Sequence, residues 1–176
     1  MSVRRDWVNW WACPWLTAHP DWWPDHLRGL SSAQCQCLSF GFHESLAAEF
    51  CITPKAVETP ADALAALVLA NDDSLQLMAR LCSACCYPRS ESGLDQHHEQ
   101  WCTRLAKGVR PGQWLAEEGH SLRLLKAWMN DAQWQRFRLR LSHAEVRAIE
   151  ETSLSKMPLE KQLTTLWAAI VWQATK

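Results

Sequence analysis

The sequence predicts an all-α protein: a single compact multi-helix domain over residues 1–176, with an irregular Trp/Pro-rich N-terminal arm at 1–30 and a helical body at 31–176. Three observations point there. Glycine is scarce at 6 residues, while Leu, Ala, Gln, Glu and Arg, all strong helix formers, fill the second half. Apolar residues recur at helical spacing, as in Leu75, Met78, Leu81, Cys82 and Cys85. Capping residues also stand where such patterns begin. At 176 residues the chain is long enough to bury roughly 70% of its unfolded surface as one domain.

Pro14, Pro20 and Pro24 break residues 1–30 into an arm with room for one short helix. Ser31 and Ser32 offer caps for a helix reaching to about Cys51, with Gly41 weakening its middle. Thr53 to Pro60 reads as a linker. Thr59 as cap, Pro60 at the first helical position and Asp62 three residues after the cap predict a helix from Pro60 to Ala70. Asn71 to Asp73 then cap a helix from about Ser74 to Cys86, which Pro88 ends, and Ser90 to Gly93 reads as a loop. Leu94 to Lys107 is helical and closes at Gly108. A short helix is expected from Pro111 to Glu118, and a longer one from Ser121 to Leu141. Within the latter, Arg136 to Leu141 also alternates as a strand would; the helical flanks favour helix. Ser142 and Glu145 form a capping box for a helix to about Glu151. Pro158 starts the last helix, with an apolar stripe of Leu159, Leu163, Leu166, Trp167, Ile170 and Val171, and with Thr164, Thr165 and Gln173 on its other side.

Composition narrows the function. A net charge of -1 leaves no field to concentrate on nucleic acid. The longest apolar run, Ala63 to Ala70, is far short of the ~20 residues a bilayer needs. Arg4 and Arg5 are followed by Asp6, Asn9 and Pro14 rather than a smooth apolar stretch, so a secretory leader is not expected and the eight cysteines read as reduced thiols. Six of the twelve tryptophans fall in the first 23 residues. Packing as an ordered strap over the helical body is the favoured reading, since large apolar groups belong inside. Trp22 and Trp23 are adjacent and cannot share one direction, which makes them the candidate exposed anchors for a protein partner.

The sharpest chemical pattern is Cys82-x2-Cys85-x12-His98-x3-Cys102, which has zinc-finger spacing. Its first pair lies within a helical pattern rather than on a tight turn, and residues 87–97 lack the apolar side chains a small finger packs around its metal. No metal or other cofactor is expected, and a zinc-stabilised regulatory or nucleic-acid-binding domain is the alternative. Cys102 one turn from His98 suggests a thiolate–imidazole pair, yet no Gly-rich oxyanion loop, nucleophile elbow or phosphate cradle accompanies it. Glu117–Glu118 and Glu150–Glu151 read as solvated acids. No catalytic residue is assigned. Arg136, Arg138 and Arg140 form a basic strip suited to steering an acidic partner.

Three stretches carry a family resemblance: Thr17-Ala18-His19-Pro20-Asp21-Trp22-Trp23-Pro24-Asp25-His26-Leu27, Leu75-Gln76-Leu77-Met78-Ala79-Arg80-Leu81, and Gln100-Trp101-Cys102-Thr103-Arg104-Leu105. With the helical layout around them they resemble the SctK family of type III secretion accessory proteins, which includes YscK and HrpD-like members. The resemblance implies a non-enzymatic adaptor of protein secretion and virulence in the cytoplasmic sorting platform. It would link the ring-forming SctQ protein to the cytoplasmic domain of the inner-membrane ring protein SctD. Its place would be the cytoplasm, reaching the inner membrane through those partners. The resemblance assigns no binding residue, and it does not account for the load of Trp and Cys.

Overall fold

A computed structural model describes residues 3–88, 93–116 and 119–176. It is all-α. The helices are Val3–Ala12 (α1), Ser32–Gly41 (α2), His43–Glu49 (α3), Asp62–Val68 (α4), Asp72–Cys86 (α5), Gln96–Val109 (α6), Arg123–Trp128 (α7), Asp131–Phe137 (α8), His143–Glu151 (α9) and Glu160–Ala174 (α10). Among the described residues the nearest thing to a sheet is one antiparallel bridge between Leu115 and Leu154. The arm holds α1 and three single 3-10 turns, at Pro14–Thr17, Pro20–Trp22 and Asp25–Leu27, each set by a proline at or just before its first residue.

Caps set many of the boundaries. Ser31 and Gln34 form a reciprocal box at α2, and Ser142 and Glu145 hydrogen-bond in both directions ahead of α9. Asn71 accepts from the Ser74 amide at 2.8 Å, starting α5 two residues earlier than the apolar pattern suggests. Several expected boundaries move. Gly41 ends α2 outright, so the helix expected to run to Cys51 is two. Ala61, not Thr59, is the extended residue before α4, which has no side-chain cap.

Gly108 stays inside α6, and the left-handed turn falls on Arg110 at φ 54°. Pro111 disfavours right-handed helical backbone in the residue before it, which places the turn there. The Pro111–Glu118 helix shrinks to a 3-10 turn, Pro111–Trp114; Glu117 and Glu118 lie outside the described residues, as does most of the 90–93 loop. The long helix expected over 121–141 breaks into α7, α8 and a 3-10 turn at Arg138–Arg140, because Asn130 and Gln133 build a new capping box in its middle.

The chain divides into two compact units, Met1–Pro60 with Met129–Arg147, and Ala61–Trp128 with Ala148–Lys176. The arm at 1–30, which the sequence sets apart from the body, thus shares a unit with residues 31–60 and 129–147. In the first unit, Trp15, Leu46, Ala47, Phe50, Ile52 and Leu139 form a buried cluster. Trp15 donates its indole N–H to Ser39 Oγ at 2.8 Å, and Ser39 donates in turn to the Cys35 carbonyl at 2.8 Å. A second aromatic cluster gathers Trp7, Trp10 and Trp11, with centroids 5.0–6.3 Å apart.

In the second unit, α5 packs on α6, and α10 packs on α4, α5 and α7. Trp128 stacks on Trp167 at 6.3 Å and donates to Thr164 Oγ1. Gly112 is obligatory for space, since a Cβ there would sit 2.3 Å from the Cys86 carbonyl oxygen. The α10 stripe is buried at Leu163, Leu166, Trp167, Ile170 and Val171. Two of its expected positions differ. Leu159 is 70% exposed because it is the extended cap residue rather than part of the stripe. Gln173 is buried because it follows Leu166 by seven and Ile170 by three, which is the same face.

Leu166→Ala or Ile170→Ala should lower stability by about 2–5 kcal/mol in chemical denaturation, through lost burial and a residual cavity. Thr165→Ala, on the exposed side, should change it by less than about 0.5 kcal/mol. Equal midpoints for all three variants would mean that the wrong face of α10 has been assigned to the core.

Candidate functional site

Of the six arm tryptophans, Trp7, Trp10, Trp11 and Trp15 are buried, and Trp22 and Trp23 are half-buried. The adjacent pair points in two directions. Trp22 donates its indole N–H to the Leu141 carbonyl at 2.8 Å, meets His143 edge-on at 4.2 Å, and lies under the Arg138 guanidinium at 5.2 Å. Trp23 packs edge-on against Phe50 at 5.2 Å. It also walls a cleft of about 510 Å³ that Leu16, Leu27, Leu30, Cys35 and Arg28 help to line. The candidate anchors are therefore held in the first unit by one face each.

The basic strip does not form as a strip. Arg136 is 3% exposed and donates from Nε to the Trp11 carbonyl at 2.9 Å, from Nη1 to Ala132 at 2.9 Å and from Nη2 to Thr53 at 3.3 Å. Its guanidinium lies 4.3 Å from the Trp11 ring centroid, and burial pushes its pKa down. Alternation puts residues 136, 138 and 140 on one face of a strand, but in a helix two residues turn the side chain through about 200°. Arg136 thus goes inward, while Arg138 covers Trp22 and Arg140 is half-buried. Arg136 is a structural cation and not a steering rim.

Sequence reasoning missed two well-exposed phenylalanines, one of them the most exposed large apolar side chain among the described residues. Phe40 is 92% and Phe42 60% exposed, on either side of Gly41 where α2 gives way to α3. The available signal was the spacing: Phe40 stands two residues from the half-buried Leu38 and so off its face. In the second unit Met157, Leu159 and Trp172 are likewise exposed.

The Cys/His pattern is taken apart by the helices. Cys82, Cys85 and Cys86 lie on the buried face of α5, and Cys102 is buried on α6. Cys82 Sγ is 3.8 Å from the Ser121 carbonyl, Cys85 Sγ 3.8 Å from that of Cys102, and Cys102 Sγ 3.6 Å from that of Leu81. Contact with the Cys102 thiol, and then desolvation, push Cys85 far above the usual thiol range; contact with Cys86, and then desolvation, do the same to Cys82. Cys82 and Cys85 thus resist becoming the thiolates zinc requires. His98 joins Asp95 and His97 instead, and that trio is the group of converging metal-ligating side chains among the described residues. Comparison with protein-family models, with curated proteins and with solved structures finds no match.

Arg136→Ala should cost about 2–4 kcal/mol, because it strands the Trp11 and Thr53 carbonyls and removes charge-assisted bonds. Arg138→Ala should cost clearly less, and a denaturant titration of both variants separates a fully buried cation bonded to three carbonyls from a half-buried one. For the thiols, a charged alkylating reagent should modify exposed Cys37 and Cys51 first in the native protein. Half-buried Cys13 and Cys35 should react more slowly, and Cys82, Cys85, Cys86 and Cys102 only on unfolding. Mass spectrometry of the time course reads the order.

Proposed function

We propose that the chain is a non-enzymatic adaptor of a bacterial type III secretion system: an SctK-like component that links an SctQ-like sorting-platform protein to the cytoplasmic domain of an SctD-like inner-membrane ring protein. It works in the cytoplasm and reaches the membrane through those partners. No helix among the described residues is long and apolar enough to cross a membrane, which agrees with attachment through proteins.

The observation that carries the reading is Phe40 at 92% exposure, with Phe42 beside it. Leaving a phenylalanine in water forfeits about 1.5–3 kcal/mol that burial would supply, so a pair of them flanking one glycine fits a docking point. Met157 and Leu159, two residues apart, supply exposed apolar side chains on the other unit. A linker needs two docking surfaces, because one surface cannot hold two different proteins at once. Phe40 with Phe42, and Met157 with Leu159, are more exposed than half-buried Trp22 and Trp23 or buried Arg136, and so serve better as the two docking points.

The test uses purified SctQ-like protein and the SctD-like cytoplasmic domain in separate calorimetric titrations. Phe40→Asp with Phe42→Asp should weaken one partner by more than about 1 kcal/mol, roughly fivefold in Kd. Met157→Asp with Leu159→Asp should weaken the other. Melting temperatures should hold in both variants, since all four side chains are exposed. If neither partner binds the unaltered chain, or if both variants lose the same partner, the reading fails.

A further inference from the structure

Asp95 caps α6 by accepting from the His98 amide at 2.8 Å through Oδ1. Its other oxygen, Oδ2, lies 2.9 Å from His98 Nδ1. His97 stands beside them, its ring 5.7 Å from that of His98. One ligand atom from each of the three side chains falls within 4.8 Å of the others. Donors bound to one ion at ~2.0–2.2 Å are separated by about 3–4 Å, so the His98–Asp95 spacing already suits two neighbouring ligands. His97 and Asp95 are exposed, and a modest side-chain rotation brings the third donor in.

We propose that Asp95, His97 and His98 form a surface site for one first-row divalent transition ion, with water in the positions facing solvent. Two imidazoles and one carboxylate favour Co2+, Ni2+, Cu2+ or Zn2+ over the all-oxygen preference of Ca2+ and Mg2+. His98 Nδ1 and Asp95 Oδ2, 2.9 Å apart, supply two of the ligand atoms. The positive end of α6 opposes the ion, and the Asp95 charge offsets that opposition. No thiol takes part: Cys102, one turn further along α6, is buried against the Leu81 carbonyl.

The experiment takes the full chain, free of any polyhistidine tag and stripped by chelator, and titrates it with Co2+ under reducing conditions. Calorimetry should show one ion per chain, and the absorption spectrum should lack the near-ultraviolet band of a sulfur–cobalt bond. His97→Gln and His98→Gln should each weaken binding by at least about tenfold, the lower end of what outer-shell changes alone cost. Asp95→Asn should weaken it as well while leaving the melting temperature unchanged, because Asn caps a helix as well as Asp does. The site is refuted by any of three outcomes: no saturable binding, a sulfur–cobalt band, or affinity that survives all three substitutions.

Discussion

The first unit depends on how the backbone of residues 53–60 is satisfied. This segment has no regular secondary structure, so its carbonyls and amides lack a ladder, and side chains distant in sequence must serve them. Trp7 donates to the Glu58 carbonyl at 2.8 Å, Trp11 to that of Lys55 at 3.0 Å, and Arg136 to that of Thr53 at 3.3 Å. Gln135 accepts from the Thr53 amide, and Asn130 donates to the Glu58 carboxylate. The two indoles and the guanidinium fix α1 and α8 to the segment, each by one directional bond beneath a large apolar ring or a planar cation. A phenylalanine at position 7 or 11 would fill the space and leave a carbonyl bare. That is a physical reason for tryptophan where most proteins would use another aromatic residue. Trp15 to Ser39 and Trp22 to Leu141 repeat the device elsewhere in the unit.

The same segment carries an electrostatic consequence. Lys55 first, and then Asn130, hydrogen-bond the Glu58 carboxylate and hold its pKa down. A group whose folded pKa is depressed stabilises the fold above its unfolded pKa and loses that contribution as pH falls through the folded value. Because Glu58 is a third exposed, solvent screens the gain, and its contribution is small beside the indole and guanidinium bonds. The segment is therefore held chiefly by neutral donors and one buried cation.

Much of the helical layout was legible because caps are local chemistry: Ser31, Asn71 and Ser142 are read from a few residues each. What was not legible depends on contacts distant in sequence. Arg136 looks like a surface charge until α8 turns it onto the Trp11 and Thr53 carbonyls, 125 and 83 residues away. Gly108 looks like a terminator, but Pro111 moves the left-handed turn to Arg110. The Asn130 box was readable in principle, and an apolar pattern continuing through it concealed the break. For the candidate binding surface, the sequence pointed to Trp22 and Trp23, and Trp22 spends its N–H on the Leu141 carbonyl. The exposed phenylalanines carry no motif at all.

Those two outcomes have one cause. An aromatic ring with a donor can be tied to a distant carbonyl, and Trp7, Trp11 and Trp22 are held in this way even in a proline-broken arm. A phenylalanine has no such tie, and where the helix face turns away from the core, as at Phe40, nothing in the unit holds it. The cysteines and His98 divide by the same logic. Cys82, Cys85, Cys86 and Cys102 have little polarity to satisfy and sink between α5 and α6, resting on carbonyls. His98 stands about 6 Å nearer the start of α6 than Cys102, where the Asp95 carboxylate can reach it. A spacing that suggests one four-ligand site in sequence is thereby resolved into a buried apolar set and a polar trio at the surface, because burial sorts side chains by what their polar atoms can find.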